Sequence, residues 1–386
     1  MLRGGCPADR RGGYRRRGNS RGKWARGVIY LDDDQEAPVT QAKLTRIAVD
    51  VMGGDFAPAE TVTGAVLAAR KGGVQLALVG DPARVNDELA KHDAKGLPIM
   101  VVPSEGIVQE GEPPALALRQ KPKASIIVAT GVVKQGMADA VVSMGSTGAA
   151  MAAAAVIMGV IEGIERPCLG GPVVGFSPKM IIVDVGTSVD CRPHQLASFA
   201  VTGDVFARRF WGIERPRVAM LSVGAEAGKG NKAVKEATEL IKKTGVHFIG
   251  NVEGNDLPYG KADVVVCDGF VGNVVMKLTE GLGTTISDLL KERLSGKLDA
   301  AGLDEIVEEV YNRTNTVESY GGGPILGVNG VSIVGHGRAK ADAIARAIGT
   351  AKHCVDTNLI PELNQRLSAV SKVTMAAPTP EKVEKK

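Results

Sequence analysis

The chain has 386 residues, enough to bury a sizeable core in one large domain or two modest ones. Hydrophobic residues make up 44% and charged residues 23%, with a net charge of +4, an ordinary globular balance. Aromatic residues are only 4% while glycines number 49, which argues against a carbohydrate-stacking or single-strand nucleic-acid surface and favours loops where bare backbone approaches a ligand.

Residues 1 to 44 hold ten Lys or Arg against five Asp or Glu, so this stretch alone exceeds the charge of the whole chain and leaves the remainder about one unit negative. It lacks hydrophobic periodicity and is expected to be a disordered basic extension. A dispensable segment is the reading taken over a nucleic-acid arm or an Arg-rich targeting peptide. From Ile47 onward the text alternates. Short β-branched runs, Ile47 to Val51, Val74 to Gly80, Ala140 to Ser143, Met180 to Asp184, Arg217 to Val223 and Ala262 to Cys267, end in polar or Gly-rich turns and lead into helical periodicity. Several are apolar at consecutive positions, as strands covered on both faces are. The expected fold is therefore α/β, a mostly parallel sheet with helices on both sides in three layers. From Leu282 to Arg313 the text turns helical without strands, and Leu303, Ile306, Val307, Val310 and Tyr311 form an apolar stripe among acidic positions. That stripe is expected to pack on the body or on a partner subunit, in preference to a membrane. The catalytic body is placed at 45 to 373, and a Pro-, Lys- and Glu-containing tail over 374 to 386 is expected to be unstructured.

The longest apolar stretch, Gly148 to Ile161, is too short to span a bilayer, and no segment resembles a secretory signal. Five scattered Cys with no CxxC pair suggest reduced thiols in a cytoplasmic protein without a metal site.

In a parallel sheet, ligands bind at the carboxyl ends of strands. Five polar words follow predicted strands there: Met52 to Asp55, Ser143 to Gly148, Asp184 to Ser188, Gly224 to Asn231 and Asp268 to Asn273. Their convergence on one crevice would make an anion site. Known nucleotide fingerprints are missing, since there is no GxxxxGK[ST] and no GxGxxG in the right setting. ATP chemistry is disfavoured. No GxSxG elbow is present either, and of the five His only His336 stands within a Gly-rich turn.

These words together resemble the bacterial acyl-carrier-protein-dependent phosphate acyltransferase family of phospholipid synthesis, over roughly Arg46 to Asp356. The resemblance is carried by IAVDVMGGDFAP (47 to 58), SMGSTGA (143 to 149), KGN (229 to 231), GNVEGND (250 to 256), VVVCDGFVGNVVMK (264 to 277), YGGGPILGVNG (320 to 330) and GHG (335 to 337). The family usually carries Asn where Ser146 stands. Membership implies a Rossmann-like fold related to phosphate acetyltransferases, a homodimer, acyl carrier protein and inorganic phosphate as substrates, and no cofactor. It also implies work at the inner membrane face, where acyl phosphate passes to a membrane-bound glycerol-phosphate acyltransferase. A coenzyme A-dependent phosphate acetyltransferase-like enzyme and a non-catalytic scaffold are the alternatives.

Phosphate is already an oxygen nucleophile and a thiolate leaves readily, so the chemistry requires anion binding more than a Ser or Cys nucleophile. On this reasoning Lys229 is expected to bind phosphate or the oxyanion, and Asn273 and Asn251 to donate to the carbonyl oxygen or phosphate. Asp268 is expected either to orient Lys229 or accept a proton, or else to cap the following helix. His336 is expected to protonate the departing thiolate. Gly53, Gly54, Asp55, Ser146, Thr147, Asn231, Glu253 and Asn329, within the same words, complete the expected substrate-binding set. A covalent route through Cys267 or Cys191 is disfavoured, because Asp268 beside Cys267 opposes thiolate formation.

Overall fold

The computed structural model describes residues 44–374. The basic extension expected over 1 to 44 and the tail expected over 374 to 386 lie outside the described residues, apart from Leu44 and Thr374. In chain order the first half comprises β1 (Thr45–Asp50), α1 (Ala59–Lys71), β2 (Val74–Gly80), α2 (Pro82–Leu89), β3 (Ile99–Pro103), α3 (Pro114–Gln120), α4 (Ser125–Lys134), β4 (Ala140–Ser143) and α5 (Thr147–Ala153), which runs on into a π-helical turn. Then come β5 (Cys168–Gly171), β6 (Ile181–Val183), α6 (Pro193–Trp211), β7 (Val218–Leu221), α7 (Lys232–Ile241), β8 (Phe248–Val252) and β9 (Val264–Val266). The last part holds α8 (Gly269–Leu294), α9 (Ala300–Thr314), the short α10 (Thr316–Ser319), β10 (Gly323–Leu326), β11 (Val331–Val334), α11 (Ala341–Asp356) and α12 (Leu359–Thr374).

The strands pair in the order β3-β2-β1-β4-β11-β10-β5-β6-β9-β7-β8. Two parallel blocks, β3-β2-β1-β4-β11 and β6-β9-β7-β8, are joined through β10 and β5, each antiparallel to both its neighbours. The mostly parallel α/β sheet expected from the β-branched runs is therefore present.

Side chains alternate across the sheet because successive strand residues point to opposite faces. In β1, Ile47 and Val49 join one apolar cluster while Ala48 joins another; in β9, Val264 and Val266 face one way and Val265 the other. All six are buried, so both faces are covered and three layers result. The largest cluster lies under α1, α6, α11 and α12, where Phe199 and Phe206 are among the largest fully buried side chains. Gly64 lets α1 and α11 meet closely: a Cβ there would stand 2.7 Å from the carbonyl oxygen of Ala341 and from Ile344.

The helical stretch expected from Leu282 begins earlier, at Gly269, and forms an α8–α9 hairpin. Of the apolar stripe on α9, Val307 is buried, Leu303, Val310 and Tyr311 are half-buried and Ile306 is exposed. Strands β3, β5, β8, β10 and β11 were not expected from the sequence. β5 (CLGG) and β10 (GPIL) read as loops because Gly and Pro are disfavoured in strands, and here they form the antiparallel join between the two blocks.

Candidate active site

A cavity of about 540 Å³ opens where the carboxyl ends of both parallel blocks meet. Met52 to Asp55 follow β1, Met144 to Thr147 follow β4, Gly335 to Gly337 follow β11, and Val185 and Gly186 follow β6. One face of α8 closes it with Asn273, Met276, Lys277 and Glu280, spaced so that all four fall on one side of the helix. Ten glycines line the cavity, so backbone rather than side chain makes much of its polar surface. The apolar remainder includes Ile107, Val108, Leu169, Val173, Val185 and Val317.

The loops are held against each other from within. The Asp55 amide donates to the Gly337 carbonyl at 2.8 Å, and the Gly335 amide to the Ser143 carbonyl at 2.9 Å. Gly335 is required by close approach: a Cβ would lie 2.2 Å from Met144 Sδ and 2.5 Å from the Gly321 carbonyl oxygen. On the other side, buried Asp184 at the end of β6 accepts from the amides of Leu169, Gly186, Thr187 and Ser188 and from the Thr187 hydroxyl. Burial pushes its carboxyl pKa up while these donors pull it down. Gly186, held in this way, faces Asn273, whose Oδ1 stands 3.5 Å from where a Gly186 Cβ would be.

Of the residues singled out in the sequence, Gly53, Gly54, Asp55, Ser146, Thr147, Asn273 and His336 line this cavity. Lys229, Asn231, Asn251, Glu253, Asp268 and Asn329 do not. Lys229 is exposed in the loop after β7. Asn231 caps α7 by accepting from the Val234 amide at 2.9 Å. Asn251 donates to the carbonyls of Gly224 and Glu226 and so braces the Lys229 loop. Glu253 opens the 3-10 turn Gly254–Tyr259, and Asn329 donates to the Val160 carbonyl at 3.0 Å. Asp268 accepts from the Val271 amide at 2.8 Å, which is the capping alternative, and α8 starts at Gly269 directly after it.

The sequence reading missed the charged groups Glu110, Lys277 and Glu280, of which one is a cation. Lys277 lies four residues after Asn273 on the cavity face of α8 and is the one Lys or Arg lining the cavity among the described residues. It pairs with Glu280 at 2.8 Å. The helical spacing from Asn273 was the available clue. His336 has its pKa lowered by burial first, then by the positive charges of Arg338 and Lys277, which leaves a neutral imidazole near pH 7. The thiols are poor nucleophiles: burial pushes Cys191 up to about 12, and burial with Asp268 and Asp184 nearby holds Cys267 well above the usual range.

Three kinds of comparison bear on this arrangement. The family model described as fatty acid synthesis protein matches residues 45–362. A phosphate acyltransferase of Desulforamulus reducens is 43% identical over 326 residues, covering 84% of this chain and 98% of the relative, and one of Moorella thermoacetica is 44% identical, covering 82% and 94%. Among solved structures, a phosphotransacetylase from Streptococcus pyogenes aligns with TM-score 0.57 at 18% identity, covering 81% of this chain and 94% of that one. The EutD phosphotransacetylase from Staphylococcus aureus aligns with TM-score 0.54 at 16% identity, covering 81% and 95%. At those identities the likeness is one of fold.

Proposed function

The chain belongs to the fatty acid synthesis protein family and is a phosphate acyltransferase, and we propose that it takes its acyl group from acyl carrier protein at the cavity described above. The observation that carries this placement is the cavity itself: glycine loops from both parallel blocks, an amide and an ammonium on one helix face, and an apolar wall in one space. Bare backbone N–H groups and Lys277 suit a phosphate anion, and the apolar wall suits the acyl chain.

In the proposed reaction a phosphate oxygen attacks the thioester carbonyl carbon, and the carbonyl π electrons move onto oxygen. Asn273 donates to that developing oxyanion. Collapse of the tetrahedral species breaks the C–S bond, giving acyl phosphate and the carrier's thiolate. His336, neutral at working pH, takes the proton of a dihydrogen phosphate and returns it to the thiolate, a role that begins as base rather than acid. Lys277 leaves Glu280 to meet the phosphate, an exchange that costs little because exposed pairs are weak. Lys229, exposed and outside the cavity lining, is given no step in this reaction. Ser146 and Thr147 contribute at the wall facing the β1 loop.

We further propose that the chain works as a homodimer at the inner face of the membrane, in the cytoplasm, and passes its product to a glycerol-phosphate acyltransferase. No helix among the described residues is long and apolar enough to cross a membrane. The exposed apolar side chains Leu278, Leu282, Ile286 and Leu289 along α8 support a partner surface. The test of the donor is to incubate the protein with phosphate and palmitoyl thioesters of acyl carrier protein or coenzyme A, and to trap acyl phosphate as its hydroxamate. Faster product formation from the carrier thioester is expected. Product only from the coenzyme A thioester would assign a phosphotransacetylase-like donor, and no product from either would sink the enzyme reading.

A further inference from the structure

The side chain beneath the β1 loop takes no part in the reaction as drawn. Asp50, the last residue of β1, is 2% exposed and lies outside the cavity lining. Its Oδ2 accepts from the Ser143 hydroxyl at 2.7 Å, which commits that proton and leaves Ser143 Oγ to accept from the Gly145 amide at 3.0 Å. The chain of bonds thus runs from the end of β1 to the end of β4 and into the next cavity loop. Packing on it is tight. A Cβ on Gly53 would lie 2.6 Å from Asp50 Oδ2 and 2.8 Å from the Gly145 nitrogen, while one on Gly145 would lie 3.4 Å from the Gly53 Cα. The two glycine walls of the cavity therefore close on each other over this carboxylate, with no side chain between them.

Stability alone does not account for the group. Asp50 Oδ1 makes no hydrogen bond of good geometry, whereas Asp184 in the corresponding place of the other block is bonded through both oxygens. Burial raises the Asp50 carboxyl pKa, with Ser125, Ser143 and the Met52 and Gly53 backbone only partly offsetting it. A folded pKa above the unfolded value means that the folded state loses stability as pH rises through it, so ionising this buried acid works against the fold. A buried polar group left short of partners calls for another explanation.

We propose that Asp50 is a positioning residue for phosphate, acting through Ser143 to hold the Gly53–Asp55 and Gly145–Thr147 walls at the separation the anion requires. The inference rests on reading the cavity as the phosphate site. An amide at this position can accept from Ser143 or from the backbone nearby, but its NH2 then faces other donors, so the clasp loosens while volume is kept. Ser143→Ala removes the middle of the clasp without touching the carboxylate.

The experiment is steady-state kinetics with palmitoyl carrier-protein thioester and varied inorganic phosphate, together with melting temperatures, for Asp50→Asn, Ser143→Ala and the double variant. Asp50→Asn is expected to melt no lower than the wild type. Each single variant is expected to raise the KM for phosphate roughly tenfold or more, with kcat changed less than about threefold and the thioester KM unmoved, the pattern of lost binding in ground and transition state alike. The double variant is expected to be no worse than the weaker single one, because both break one chain of contacts. Folded single variants with an unchanged phosphate KM, or a lowered melting temperature as the only effect, overturn the inference. Additive losses in the double variant overturn it too. If Asp50→Asn does not fold, Ser143→Ala decides by the same criteria. A wild type whose rate shows no dependence on phosphate removes the reading of the cavity and the inference with it, whereas a saturable wild type with indifferent variants removes the inference alone.

Discussion

Asn273 and Lys277 stand one turn apart on α8, and that single turn places a neutral donor and a cation at the same cavity. The sequence drew attention to Asn273 and to a different lysine, because Lys229 sits in a Gly-rich word and Lys277 in what reads as an ordinary amphipathic helix. A lysine's neighbours along the chain say little about where its long side chain ends. The geometry predicts that Lys277→Ala raises the KM for phosphate by roughly one to two orders of magnitude, the cost of losing the one cation that lines the cavity among the described residues, while Lys229→Ala changes it by less than about threefold. Steady-state kinetics on both variants, with melting temperature as the control, checks the contrast. His336 yields a prediction in pH. Its folded pKa lies below the ordinary 6.5, so the neutral base persists to lower pH than for a free imidazole. The acid limb of kcat/KM should accordingly show an apparent pKa below about 6.5 and should vanish from the profile of His336→Ala. The sign for stability is the same. Between the folded and unfolded pKa values the unfolded chain binds more protons, so the contribution of this group falls as pH drops through that window.

Among the elements, the β-branched runs were legible because burial on both faces leaves an unbroken apolar record, as in Val264–Val266. The join between the blocks was not, because β5 and β10 carry the residues that usually end strands and are held by pairing across long separations, Ile325 with Leu169 and Leu326 with Cys168. The start of α8 at Gly269 was not legible, since Gly269 and Gly272 suggest a loop. Contact explains them. A Cβ on Gly272 would lie 1.9 Å from the Asp184 carbonyl oxygen, so the helix can seat against the β6 turn only with glycine there. Gly272→Ala is expected to lower stability by about 1–3 kcal/mol, as overpacking does, and to displace Asn273 from Gly186. Chemical denaturation together with turnover measures both effects, and a variant indistinguishable from wild type would refute this account of the helix start.

At the scale of the molecule, two parallel blocks present their carboxyl ends to one cavity, and α8 turns its cavity-lining face inward and an apolar face outward. Leu278 is 59% exposed and Leu282 51%, more than a lone chain needs to leave in water. The stripe expected on α9 is only partly this surface, since Val307 is buried and the larger exposed leucines lie on α8. Light scattering at micromolar concentration should give the mass of a dimer, and Leu278→Glu with Leu282→Glu should shift it toward the monomer. A wild-type monomer would count against a partner surface. If acyl group and phosphate meet in this cavity, the most direct measurement of it is turnover by Asn273→Ala with phosphate and acyl carrier-protein thioester. A loss of roughly 10² to 10³ fold in kcat, with the phosphate KM little changed and the fold intact by circular dichroism, is the predicted result. A folded variant whose kcat stays within about threefold of wild type, under ~1 kcal/mol of transition-state stabilisation, would contradict it.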